Sequence, residues 1–217
     1  MRKILLGIVI CVLSFSAAAQ KISFSVYADP QFSWFSSDEN DVSPNGSVLH
    51  IHTGLEMNYF FQENYAFSIG LGINNMGGHL VYSDTTYLSS KGEELTVLPG
   101  SDLKHRVQYL DLPVGLVLKT EELGYLTFAF QAGLIPMFNI NANTTSSENS
   151  FDKDDIRESI NLFNLNYFVG ARAEYRLGGN TALVGGVRWS SGFTDITKKD
   201  RANIRNNSIS IHLGVIF

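Results

Sequence analysis

NSISIHLGVIF, Asn207 to Phe217, is the stretch whose reading decides the fold. From Ile209 the apolar residues fall on every second position, Ile209, Ile211, Leu213, Val215 and Phe217, with Ser210, His212 and Gly214 between them. Period two belongs to a strand, because successive side chains of an extended chain point to opposite faces. The pattern recurs upstream. In Val48 to Phe60, Leu49, Ile51, Leu55, Met57 and Tyr59 share one face, and His50, His52, Gly54, Glu56 and Asn58 the other. Tyr65 to Asn75 sets Phe67, Ile69, Leu71 and Ile73 against Ser68, Gly70, Gly72 and Asn74. Further strands are expected over Ile22 to Phe35, Val107 to Lys119, Leu126 to Ile140, Phe163 to Tyr175 and Thr181 to Gly192, which makes eight in all. Pro113 cannot donate to a ladder, so an irregularity is expected there.

One face of each strand is greasy and the other small and polar, which suits a narrow ring with lipid outside and filled by side chains inside. The connections agree. Gln62-Glu63-Asn64, Glu121 to Gly124 and Gly178-Gly179-Asn180 are tight, while Ser36 to Ser47, Met76 to His105, Asn141 to Ser159 and Phe193 to Asn206 are long and polar. Short turns on the periplasmic side and long extracellular loops are the rule for outer-membrane barrels. The expected fold is therefore all-β, an eight-stranded antiparallel up-and-down transmembrane β-barrel with both termini periplasmic. Tyr27, Trp34, Tyr59, Phe60, Tyr65, Tyr125, Tyr175 and Trp189 lie near strand ends, where aromatic girdles are expected.

At the other end, Arg2 and Lys3 precede an apolar run from Ile4 to Phe15, followed by Ala17, Ala18 and Ala19. This reads as a signal peptide over residues 1–19, leaving a barrel domain over 20–217. Cys11 lies in that leader, so the mature chain has no cysteine for disulfides, thiolate metal sites or nucleophilic catalysis. Removing Arg2 and Lys3 from the 16 basic residues leaves 14 against 21 acidic ones, a charge of about −7. Nucleic acid is excluded as a partner for such a surface. Outer-membrane lipid and the barrel-assembly machinery are expected instead. Ile209, Ile211, Leu213, Val215 and Phe217 form the expected insertion signal, read where the chain stops on an aromatic residue.

Four segments resemble a known family: Tyr109-Leu110-Asp111-Leu112-Pro113, Gly170-Ala171-Arg172-Ala173-Glu174-Tyr175, Arg188-Trp189-Ser190-Ser191-Gly192-Phe193-Thr194-Asp195-Ile196, and Asn207-Ser208-Ile209-Ser210-Ile211. They resemble the Bacteroidetes-type outer-membrane β-barrel domain, the PorT-like group. The resemblance implies the barrel fold and, for some relatives, a part in type IX secretion or gliding. It brings no catalytic residues.

The candidate site lies on the inward faces, where Glu56, Asp111, Arg172, Glu174 and Arg188 place charges of both signs in a narrow lumen. They are expected to pair as an interior charge network, Glu56 with Arg172 and Asp111 with Arg188, because an eight-stranded ring is filled by its own side chains. His50, His52 and His212 share inward faces, but spacing places no third ligand on a pair, so neither metal nor other cofactor is expected. No His, Ser and acid group together on a lipid-facing side, so no enzyme is expected. The expected role is a membrane anchor or interaction scaffold whose extracellular loops meet a protein partner. The alternatives are a secretion component or narrow channel, and a soluble lipocalin-like binder.

Overall fold

Every alternating stretch folds as a strand and pairs antiparallel with its neighbours. The computed structural model describes residues 21–90, 93–146, 148–149, 151–198 and 203–217. The expected leader, 1–19, lies outside them. The strands are β1 (Ile22–Ser37), β2 (Val42–Gln62), β3 (Tyr65–Tyr82), β4 (Thr86–Ser90), β5 (Glu93–Val97), β6 (Asp102–Asp111), β7 (Val114–Lys119), β8 (Leu126–Ser146), β9 (Phe151–Asp155), β10 (Phe163–Gly178), β11 (Thr181–Gly192) and β12 (Ile204–Ile216). Around the wall the order is β1, β2, β3, then β6 with β7, β8, β10, β11 and β12, and β12 pairs β1. Strands β6 and β7 occupy one position, broken at Leu112 and Pro113, where the proline has no N–H to give. The chain is an eight-stranded up-and-down barrel, its ring closed where β12 pairs β1.

The outer surface carries an apolar belt. Phe24, Val26 and Phe32 on β1, Leu49, Ile51 and Leu55 on β2, Phe67, Ile69 and Leu71 on β3, and Ile209, Ile211 and Leu213 on β12 are exposed, as is Phe217, while Val215 is half-buried. Tyr59, Tyr65, Tyr125 and Tyr175 are exposed at the short-turn end of the belt. Two of the expected girdle aromatics are elsewhere. Tyr27 is buried in the lumen, because on β1 the inward row is Ser25, Tyr27, Asp29, Gln31 and Ser33. Phe60 has the inward parity of Glu56 and Asn58 and lies under Lys119, 5.0 Å from ring centroid to Nζ.

The expected long loops are mostly strand. β2 begins at Val42, β3 runs on to Tyr82, β6 starts at Asp102, β8 reaches Ser146 and β12 starts at Ile204. In these extensions the faces exchange character. On β3 the inward row passes from Ser68, Gly70, Gly72 and Asn74 to the buried Met76, Leu80 and Tyr82. On β6, Leu103, Val107 and Tyr109 are buried while Arg106 is exposed and Lys104 and Gln108 half-exposed.

Leu88 and Val97 of the β4–β5 hairpin, Ile156 and Ile160 around the 3-10 turn Arg157–Ser159, and Ile196 join these residues in one apolar cluster. Ser159 fixes the hairpin by accepting from the Ser89 N–H at 2.8 Å. The long-loop end is thus roofed by a packed cap with an internal cavity of only about 10 Å³, at the lower limit for one water.

Candidate functional site

Below the cap the lumen is polar, and its charges meet across the ring. Arg172 Nη1 donates to Glu56 Oε1 at 3.0 Å, joining β10 to β2 on the opposite wall. The Arg172 Nε donates to Glu174 Oε1 at 3.1 Å, and Glu174 also takes Lys119 of β7. Glu56 Oε2 accepts from Gln131 Nε2 at 2.8 Å, and Arg188 Nη2 donates to Gln131 Oε1 at 3.0 Å. Arg188 lies 3.6 Å from Glu56 and 3.9 Å from Asp29, with its guanidinium over the Tyr27 and Phe168 rings at 5.6 and 5.1 Å. Planar, weakly hydrated guanidinium suits such a place between carboxylates and rings.

Glu56, Arg172, Glu174 and Arg188 therefore belong to one connected group. Asp111 does not meet Arg188. It lies 2.9 Å from His52 Nε2 of β2 and accepts from Asn74 Nδ2 of the adjoining β3 at 3.2 Å. Asp29 replaces it beside Arg188 and also holds His212 Nδ1 at 2.8 Å. Glycine makes room for this layer. A Cβ on Gly72 would overlap Asp111 Oδ1 and come within 2.9 Å of both His52 Nε2 and the Tyr27 hydroxyl.

Asp29 and Lys119 were legible as lumen residues from parity, Asp29 standing in the row Ser25, Tyr27, Gln31, Ser33 and Lys119 two positions after buried Val117. The histidines do not converge. His52 and His212 are bound to different carboxylates, and His50 is half-buried in the wall. Among the described residues no group of three His, Cys, Asp or Glu could hold a metal ion. At the short-turn end the network opens into a vestibule of about 450 Å³, lined by Phe60, Lys119, Glu122, Glu174 and Arg176 among others.

A belt of exposed aliphatic side chains around a charged lumen needs a solvent that water cannot supply. Residues 15–198 match the family described as outer membrane protein beta-barrel domain. The chain belongs to that family. The belt of this outer-membrane barrel is accordingly its lipid-facing surface, and the protein sits in outer-membrane lipid. No helix among the described residues is long and apolar enough to cross a membrane; the crossing elements are strands.

The barrel is similar to the neisserial surface protein A (NspA), with 15% identity and a TM-score of 0.48 over 89% of this chain and 95% of that one. It is also similar to OprG of Pseudomonas aeruginosa (12%, TM-score 0.46, covering 90% and 94%) and to Ail of Yersinia pestis (12%, TM-score 0.42, covering 90% and 98%). None of the curated proteins matches the sequence.

Proposed function

We propose that this barrel is a closed membrane anchor and interaction scaffold of the PorT-like kind, with no catalytic role. The observation that carries this reading is the double filling of the lumen. The Glu56–Arg172 strut spans the ring at one level and the apolar cap fills it above, two fillings among the described residues that support a lumen closed to ions. The non-catalytic reading is supported by the pairing of the lumen histidines with carboxylates, His52 with Asp111 and His212 with Asp29.

In this reading residues 1–19 are a signal peptide, the short turns and both termini face the periplasm, and the capped end faces outward to a protein partner. The row Ile209, Ile211, Leu213, Val215 and Phe217 presents the closing strand to the barrel-assembly machinery. Planar-bilayer recording tests the closed lumen. The expected result is no steady conductance from the wild type, and a steady open level would replace the anchor by a channel. Crosslinking on intact cells followed by pull-down tests the scaffold; loss of a captured partner on removing the β4–β5 hairpin is expected.

A further inference from the structure

On one side of the barrel, just above the belt, the wall parts into a groove of about 390 Å³, lined by Leu49, His50, Arg106, Gln108, Asn141 and Asn143 among others. Its origin is in the register. The β2–β3 pairing passes from Ser47↔Gly78 to His52↔Asn74, so the four residues Val48 to Ile51 face only Asn75 to Gly77. On the far side, Gln108 pairs Asn141 but Tyr109 pairs Asn139, leaving Ile140 as an extra residue in β8. Between these two bulges the β3–β6 pairing is regular, Asn75↔Gln108 and Gly77↔Arg106. Bulges bend the strands that carry them, and two flanking a straight pair open a concavity over it.

One cation, Arg106, lines the groove of a protein of net negative charge, and a second, Lys104, stands beside it. Arg106 is exposed on the outward row of β6 with Lys104 two positions beyond it on the same face, and neither forms an ion pair among the described residues. Arg172, Arg188, Lys119, Arg176 and Arg157, by contrast, each have a carboxylate. His50 borders the same space. Its Nε2 lies 3.1 Å, and the Arg106 Cα 3.3 Å, from the point where a Cβ on Gly77 would stand, so glycine lets the imidazole lie against the β6 backbone.

Height selects the ligand. Leu49, exposed at 61%, forms the lower lip, and the lipid-facing row of β6 and β7 starts at Leu110, four residues below Arg106. Four residues of strand are ~13 Å, or about 10 Å of height at a tilt near 40°. The groove therefore opens at headgroup level, where charged lipid groups lie directly above acyl chains.

We propose that this groove binds the phosphorylated sugar headgroup of an outer-leaflet glycolipid. Arg106 and Lys104 take the phosphate, the Gln108, Asn141 and Asn143 amides meet sugar hydroxyls, and Leu49 packs on the first acyl carbons. Guanidinium and ammonium are the usual phosphate partners, and among the described residues neither is taken up by a carboxylate. The assignment to the outer leaflet rests on the orientation proposed above.

The test uses the refolded full barrel in detergent, with native mass spectrometry reading retained lipid. Phosphorylated lipid A should be retained one-to-one, and K104Q/R106Q, whose positions lie on the outer surface, should lower retention by about ten-fold or more, the effect of ~1.4 kcal/mol of lost charge-assisted bonding. Heat-modifiable mobility checks that the variant is folded. Lipid A stripped of phosphate should be retained as poorly as phosphorylated lipid A is by the variant. Equal retention by variant and wild type, or of the stripped lipid, overturns the site. Full competition by millimolar inorganic phosphate would make it a simple anion site and overturn the lipid assignment. Preference for phosphatidylglycerol over lipid A would overturn the outer-leaflet assignment while leaving the closed-lumen reading, tested by conductance, untouched.

Discussion

Arg172 on β10 lies 3.0 Å from Glu56 on β2, the strand diametrically opposite in the ring. Each end is held in place, Glu56 by Gln131 and Asn58, Arg172 by Glu174. Truncating one member of a buried pair leaves the other charge uncompensated, a loss of typically ~3 to 5 kcal/mol. Glu56→Gln and Arg172→Met should each destabilise the barrel on that scale, and the double variant should lose less than the sum by at least about 1 kcal/mol. Urea unfolding of the refolded protein measures this; additive losses would mean that the two do not act as a pair.

Phe217 completes the seam. Its N–H donates to the Phe24 carbonyl at 2.8 Å, the Phe24 N–H returns the bond at 3.1 Å, and the two rings stack at 6.4 Å. Phe217→Asp sets a charge beside the belt and removes the terminal aromatic residue. The heat-modifiable fraction in outer membranes should fall several-fold, and wild-type levels in the variant would remove the insertion-signal reading.

Because Cys11 is the chain's single cysteine and belongs to the expected leader, introduced thiols report topology cleanly. Asn40 and Glu121 are both exposed, one in the β1–β2 connection and the other in the β7–β8 turn. On intact cells a membrane-impermeant maleimide should label Asn40→Cys and spare Glu121→Cys until the outer membrane is opened. The reverse pattern would invert the barrel.

His105 is buried in the cap between Phe35 and Tyr82, with ring centroids at 6.4 and 6.3 Å. Burial first, then the neighbouring His79, holds its pKa down to about 4, against a smaller opposing pull from Asp102. Above the ordinary value of 6.5 both the closed and opened caps carry it neutral, and stability is complete. Between there and pH 4 only the opened cap takes the proton, so acid weakens closure by about 3 kcal/mol in all. Amide protection over Leu103 to Tyr109 should therefore drop between pH 7 and pH 4.5, and His105→Phe should abolish that drop. A variant as acid-sensitive as the wild type would assign the effect to other groups.

The belt and the lumen charges were legible because lipid outside and polar groups inside give every strand the same alternation, clearest in Phe67 to Asn74. The cap was not. Above the belt the surroundings change from lipid to water, so the buried face becomes the inward one, as Met76, Leu80 and Tyr82 show. Read with the belt's rule, that exchange looks like a polar loop. In β8 the extra residue Ile140 also shifts the parity, so Ala142, Thr144 and Ser146 point inward where Met137 did, and the pattern seems to stop. The pairing of Asp111 was not legible for another reason, since heights counted from the turns ignore the stagger between the strands of a closed ring.

The exchange of faces at the lipid boundary makes each strand answer to two solvents at once. A one-residue slip of β3 would turn Ile69 and Leu71 into the lumen and Ser68 and Asn74 into lipid, and by the same rotation drive Met76, Leu80 and Tyr82 into water. A wrong register is thus rejected twice, by independent penalties of the same sign. The bulges at Val48 to Ile51 and at Ile140 lie between the two zones, where an added residue is absorbed without turning the membrane half. The capped end can therefore be lengthened, shortened and re-patterned over generations while the lipid-spanning half keeps its place.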